Sequence, residues 1–188
     1  MIASLRLAAL AALAAAPLAA QTPALRAAPS GRATVEVSLS TPRVQGQPAT
    51  TPVKVKIDYG QPHARGRAVP AELAKPGTVW RTGANTSTTL TTDLDLKIGT
   101  ADVPKGAYSL YTLRTDAGYV LIINKNTGQW GTEYVADKDL ARVPLTARTL
   151  PESLESLQIA LVPDAGAAKG KLTIAWGTLH LSTDWSAR

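Results

Sequence analysis

The feature that most limits what this chain can fold into is a period of two. In residues 53–59, Val53, Val55, Ile57 and Tyr59 interleave with Lys54, Lys56 and Asp58. In residues 33–40, Val35, Val37 and Leu39 interleave with Thr34, Glu36 and Ser38. Alternation puts every second side chain on one face, so these segments read as half-buried strands. No segment sustains a helical period. Shorter strand signals follow at residues 79–81, 90–98, 108–115, 119–125, 140–147, 154–162 and 172–181, separated by turns rich in Gly, Pro, Asn and Asp. The fold class expected is all-β: an antiparallel β-sandwich, or flattened barrel, of about eight or nine strands with little or no helix.

Three local details sharpen that expectation. Leu90, Leu94, Leu96 and Ile98 share one parity and read as a single strand. Residues 120–123 are apolar on both parities, which places their strand centrally with both faces covered. Leu172, Ile174 and Trp176 lie on one parity and Leu179 and Leu181 on the other, so a one-residue bulge at Gly177 is needed to bring all five to the core. Residues 60–77 form the longest irregular stretch, in which residues 71–75 can make one helical turn. With no Phe and one Met, the core must be built from Val, Leu, Ile, Tyr and Trp.

The N-terminus is organised differently. Arg6, an apolar run over residues 7–16 and the ending Pro17-Leu18-Ala19-Ala20 follow the pattern of a secretory signal peptide, residues 1–20, cleaved after Ala20. The run is too short to span a bilayer. Residues 21–32, rich in Ala and Pro, read as a flexible tether, and residues 33–188 as a single domain. The chain has no cysteine, hence no disulfide and no thiol for lipid attachment. The expectation is an exported protein, periplasmic or secreted, and not membrane-embedded. The net charge is +6, but the basic residues are scattered among acids, with Arg65 and Arg67 the nearest approach to a cluster. A nucleic-acid reader carries a basic stripe, so no nucleic-acid partner is expected.

Residue chemistry excludes more than it selects. His63 and His180 are the only histidines, without Cys or metal-ligand spacing, so no metal or other cofactor is expected. His180 is out of phase with Leu179 and Leu181 and should face solvent. No serine sits in a G-x-S-x-G elbow. His63, between Asp58 and Arg65, is a weak candidate for nucleophilic or acid–base chemistry. Asp137 and Asp139 share one face and can act as a carboxylate pair, or one of them can pair with Arg142 or Arg81. Exposed Trp and Tyr beside Asn, Asp or Arg would make a stacking surface for sugars or peptides, and Trp130, in a Gly-flanked turn, is the best placed of the four tryptophans.

Several runs occur in a characteristic order: Pro62-His63-Ala64-Arg65-Gly66-Arg67, Val79-Trp80-Arg81-Thr82-Gly83-Ala84-Asn85, Pro104-Lys105-Gly106-Ala107-Tyr108-Ser109-Leu110-Tyr111, Asn124-Lys125 with Gln129-Trp130-Gly131, and Asp139-Leu140-Ala141-Arg142. The chain thereby resembles the exported bacterial family known as domain of unknown function 2911, over nearly all of residues 41–188. Ala68-Val69-Pro70 departs from the bulkier apolar and aromatic stretch typical there. The resemblance implies a periplasmic or secreted setting and supplies no activity. The function expected is therefore a non-catalytic envelope module binding a glycan or peptide through His63, Arg65, Arg67, Arg81, Asn85, Trp130, Asp139 and Arg142. The alternatives are a hydrolase using His63 or the Asp137/Asp139 pair, and a purely structural scaffold. Within the central motif, Trp80 is expected in the core, Gly83 in a turn, Asn85 bridging that turn, and Arg81 against a carboxylate near Asp139.

Overall fold

The computed structural model describes residues 25–188, so the signal peptide expected over residues 1–20 lies outside the described residues. Ten strands follow in chain order: β1 (Arg32–Leu39), β2 (Val53–Gly60), β3 (Val79–Trp80), β4 (Thr88–Thr92), β5 (Leu96–Ile98), β6 (Ala101–Val103), β7 (Gly106–Thr115), β8 (Gly118–Asn124), β9 (Asp139–Pro163) and β10 (Lys169–Ala187). They form one open sheet ordered β1-β2-β4-β7-β8-β9-β10-β5-β6, with β3 also on β7, and every pairing is antiparallel. The fold is all-β, as the period-two pattern requires. The only helical pieces among the described residues are two 3-10 turns, Ala71–Ala74 and Ala136–Lys138.

The sheet folds over because its longest strand serves two layers. The start of β9 pairs with β8 through Leu145, and from Thr146 onward β9 pairs with β10 instead. The sequence signals at residues 140–147 and 154–162 are thus parts of one strand, not two. Between Thr149 and Leu154, β9 advances five residues while β10 advances only from Leu179 to Gly177. Pro151 falls in this irregular stretch, where a missing N–H costs the ladder nothing. Gly177 sits at the break with φ +59°, and a Cβ there would lie 2.4 Å from the Val69 carbonyl oxygen. The parity break at Gly177 is accommodated by extra residues in β9 rather than by a one-residue bulge in β10: Leu172, Ile174, Trp176 and Leu181 are all buried, with Leu179 packed against them.

Two expectations need correction. Residues 90–98 are not one strand: Thr92 ends β4 by donating through Oγ1 to the Leu94 carbonyl, and β5 starts a new pairing with β10 in the second layer. The shared parity survived because both faces involved line the same core. His180 points away from that core as expected, but its ring is half-buried and its Nδ1 has no hydrogen-bond partner. Burial, reinforced by Arg148, lowers its pKa.

The main core lies between the layers. Val55, Ile57, Leu90, Leu110, Leu121 and Ile123 face Leu157, Ile159, Leu172, Ile174, Leu181 and Trp185, and Trp80 stacks on Trp176 with ring centroids 5.9 Å apart. Each such aliphatic side chain contributes about 1.5–3 kcal/mol on burial. A second, smaller cluster sits on the outer face of β7 and β8: Tyr111, Leu113 and Ile122, covered by Val79, Val120 and Tyr134. That is the second face predicted for the central strand β8. Its cover positions the site.

Candidate functional site

The run Trp-Arg-Thr-Gly-Ala-Asn occupies a gap in a strand. β3 and β4 lie along the same edge of β7, with Trp80 opposite Thr112 and Thr88 opposite Leu110. Residues 81–87 are therefore extruded from the sheet line at the level of Tyr111. The extrusion is held at every turn. Thr82 donates to or accepts from Thr112 at 2.8 Å, Thr88 Oγ1 donates to the Thr82 carbonyl at 2.9 Å, and the Ala84 N–H donates to the Gly60 carbonyl at 3.1 Å. Asn85 takes φ +64°, which Asn tolerates, but Thr82 takes φ +52°, which a β-branched residue avoids. Such conformations persist only where their surroundings enforce them, and they concentrate at functional sites.

The glycines act here through the space they leave. Gly83 does not have the positive φ of a turn glycine. A Cβ on it would lie 2.7 Å from Thr88 Oγ1, and one on Gly60 would lie 1.9 Å from the Ala84 carbonyl oxygen. Small size lets the loop fold back on the sheet.

The tip of the extrusion meets the turn around Trp130. The Gly131 N–H donates to the Asn85 carbonyl at 2.9 Å, the Ser87 N–H donates to the Gln129 carbonyl at 3.1 Å, and Thr86 and Trp130 form an antiparallel bridge. The Asn85 amide reaches the Ser30 carbonyl at 3.2 Å. Trp130 itself is 50% exposed, while Trp80 and Trp176 are in the core. Beside this junction lies a cleft of about 160 Å³, lined by Glu72, Val79, Trp80, Arg81, Tyr111, Gly131, Thr132 and Tyr134. Gly131 presses on the Arg81 stem so closely that a Cβ would lie 2.5 Å from Arg81 Cδ.

Arg81 does not have the expected carboxylate partner. Its Nε donates to the Gly83 carbonyl at 3.3 Å, and no carboxylate among the described residues lies within 4.0 Å of its nitrogens. Asp139 is committed elsewhere. Its Oδ1 accepts from Asn124 at 2.8 Å, and its Oδ2 accepts from Tyr134 at 2.7 Å and from Arg142 Nε at 2.9 Å. Arg142 also donates to the Tyr134 hydroxyl at 3.0 Å. The carboxylate and guanidinium thus clamp Tyr134, whose ring packs at 5.0 Å on Tyr111 in the wall of the cleft. Burial, aided by Asp139, raises the Tyr134 pKa; burial likewise raises that of Tyr111, whose hydroxyl accepts from Gln129 at 2.8 Å. Asp137 is exposed on the neighbouring 3-10 turn and takes no part.

The other candidates gather at a different place. His63 Nδ1 lies 2.7 Å from Ser156 Oγ, the Arg65 N–H donates to Glu155 Oε1 at 2.8 Å, and Arg67 donates to the carbonyls of Ala64 and His63 at 3.0 Å each. The His63–Ser156 contact is a cross-strand pair where residues 61–64 run beside β9. Among the described residues no carboxylate bonds the second ring nitrogen, so the pair is not completed as a triad. No group of His, Asp and Glu among the described residues is arranged to hold a metal.

Glu72, Tyr111, Gln129, Thr132 and Tyr134 were not singled out by the sequence reading. Parity offered a signal for one of them. Tyr111 alternates with the core residue Leu110 and so belongs to the outer face, with Leu113 beside it. Larger concavities lie elsewhere; that of about 820 Å³ is lined by residues 40–52 of a single loop, Arg43 its one charged group. Size alone does not mark a site; the 160 Å³ cleft is where the extrusion meets the Trp130 turn and brings Arg81, Tyr111 and Tyr134 together. No curated protein and no solved structure matches the chain. A family model matches residues 40–184, and the chain belongs to that family, the proteins of unknown function called DUF2911.

Proposed function

We propose that this protein is an exported, non-catalytic envelope module that binds a polar ligand, a glycan or peptide, at the cleft between Arg81, Tyr111 and Tyr134, with Trp130 at its entrance. The observation that carries the reading is the half-exposed Trp130, whose backbone is bridged to Thr86 and which directly precedes Gly131 in the lining of a cleft walled by two tyrosines. An indole held in water by backbone pairing costs apolar exposure that the fold does not need, and flat rings beside hydroxyl groups suit sugar rings or peptide planes. The hydroxyls, carboxylate and guanidinium around it supply directional contacts. Export rests on the leader pattern, and no helix among the described residues is long and apolar enough to cross a membrane.

The test is Trp130→Ala screened on an array of envelope glycans, peptidoglycan fragments and peptides. The wild type is expected to bind saturably and the variant to lose at least ten-fold in affinity, the scale of one aromatic anchor at about 1.4 kcal/mol or more. The melting temperature should be unchanged, because the side chain is largely outside the core. A wild-type protein that binds nothing on such an array sinks the proposal.

A further inference from the structure

We infer that the cleft takes the terminal acidic sugar of a glycan, with the Arg81 guanidinium gripping its carboxylate; this rests on the cleft being a ligand site. Arg81 is the reason. Arg81 is half-buried as a residue and lines the cleft, and a guanidinium there with no carboxylate partner leaves its charge for a ligand to meet. Here Nε is used on the Gly83 carbonyl, and the two terminal nitrogens have no hydrogen-bond acceptor among the described residues. The planar fork they form matches a carboxylate in a bidentate geometry that lysine cannot reproduce.

The fork is also held in place before any ligand arrives. The Arg81 stem is trapped against the Gly131 backbone, and Gly131 is tied to Asn85 across the extrusion. Tyr134 is clamped by Asp139 and Arg142 on the opposite strand system. Ordering costs are therefore met in the folded protein, the condition under which a single ion pair yields useful affinity.

Volume decides what fits. Drug-sized ligands occupy pockets of about 300–1,000 Å³. A cleft of about 160 Å³ holds one end group, not a chain. Thr132 and Glu72 line the same space and match the hydroxyl groups of a sugar, while Tyr111 and Tyr134 wall it. Glu72 accepts hydrogens only and would repel a second carboxylate, which favours a ligand with a single acid at its end. Trp130, half exposed, directly precedes Gly131 of the cleft lining, and a second ring stacked on its indole favours a glycan over an extended peptide.

The experiment compares cellobiouronic acid, a disaccharide whose one carboxylate lies on its terminal glucuronic acid ring, with its methyl ester, which keeps the rings and removes the charge, and with the dipeptide Ala-Ala, by calorimetric titration and by ring-proton NMR of the tyrosines. The acid is expected to bind about ten- to a hundred-fold more tightly than the ester, the scale of a charge-assisted pair, and less tightly as salt is raised. Arg81→Gln should erase the difference between acid and ester. Arg81→Lys, which keeps the stem and charge, should retain part of it while folding normally. Equal binding of acid and ester, or an Arg81→Gln protein with the same preference as the wild type, overturns the inference but leaves a Trp130-dependent glycan site standing. Binding of Ala-Ala without the sugar acid overturns the choice of glycan. If no probe perturbs Tyr111 or Tyr134, the inference falls, and the site itself falls with it unless the array of envelope ligands finds a binder that depends on Trp130.

Discussion

At the scale of single residues, the site is a set of side chains each fixed by a different neighbour. Asp139, expected as a reacting group or as the partner of Arg142 or Arg81, pairs with Arg142 and spends its remaining capacity on Asn124 and Tyr134. It is a positioning residue for a tyrosine that the sequence reading passed over. A titration follows from this arrangement. Burial, with Asp139 adding to it at Tyr134, holds Tyr111 and Tyr134 protonated beyond the usual tyrosine value. A group whose folded pKa is raised binds its proton more tightly in the native state. Its stabilising contribution is complete below the unfolded value of about 10 and is lost as pH rises through the folded value. Burial, with Asp95 adding to it, raises Tyr108 as well, so spectrophotometric titration should show three late tyrosines among the five, and thermal stability should fall as the pH rises above about 10. Tyr134→Phe should remove one late step. Five tyrosines titrating together near the usual value would contradict the geometry.

At the scale of elements, the extrusion between β3 and β4 depends on close backbone approach. A Cβ on Gly60 would lie 1.9 Å from the Ala84 carbonyl oxygen, a backbone atom that cannot rotate aside. Gly60→Ala should destabilise the protein by about 3 kcal/mol, at the upper end of overpacking costs. Gly31→Ala, with nothing within 4 Å of its added carbon, should stay within about 0.5 kcal/mol. Chemical denaturation of both variants checks this, and equal effects would refute the close-approach account. The same region shows how far residues alone could be read. Alternation located β1 and β2, the short signals at residues 108–115 and 119–125 located β7 and β8, and the parity break at Gly177 marked the irregular stretch though not that its extra residues lie in β9, because each signal is written in a few consecutive residues. Pairing partners are not written locally. Leu90 and Leu96 share a parity yet bond to different layers, and the two signals within β9 join because β10 is long enough to pair across the gap. The order of motifs placed Arg81, Trp130, Asp139 and Arg142 in one family pattern, but not Tyr134, the side chain that Asp139 and Arg142 clamp.

At the scale of the whole molecule, the sheet remains open between β1 and β6, and something other than a strand ladder must keep its layers together. Residues 61–64 do this. Continuing from the end of β2 they cross to β9, where the Ala64 N–H donates to the Glu155 carbonyl at 2.7 Å and the Leu157 N–H donates to the Pro62 carbonyl at 3.0 Å. His63 and Ser156 add a side-chain bond at 2.7 Å to the same seam, and Gln61 Nε2 donates to the Leu157 carbonyl at 2.9 Å. This location explains His63 without catalysis: an imidazole can bridge to a hydroxyl across two layers that share no other short ladder at that edge. His63→Ala and Ser156→Ala should each lower stability, and the double variant should lose less than the sum. The coupling between them should be about 0.5–1.5 kcal/mol, the net worth of one hydrogen bond in a double-mutant cycle. Ligand binding in the cleft should be unchanged in all three, since neither residue lines it. A hydrolase built on His63 predicts the opposite pattern, with turnover of a model ester abolished in either single variant and stability untouched, so one set of three proteins decides between closure and chemistry.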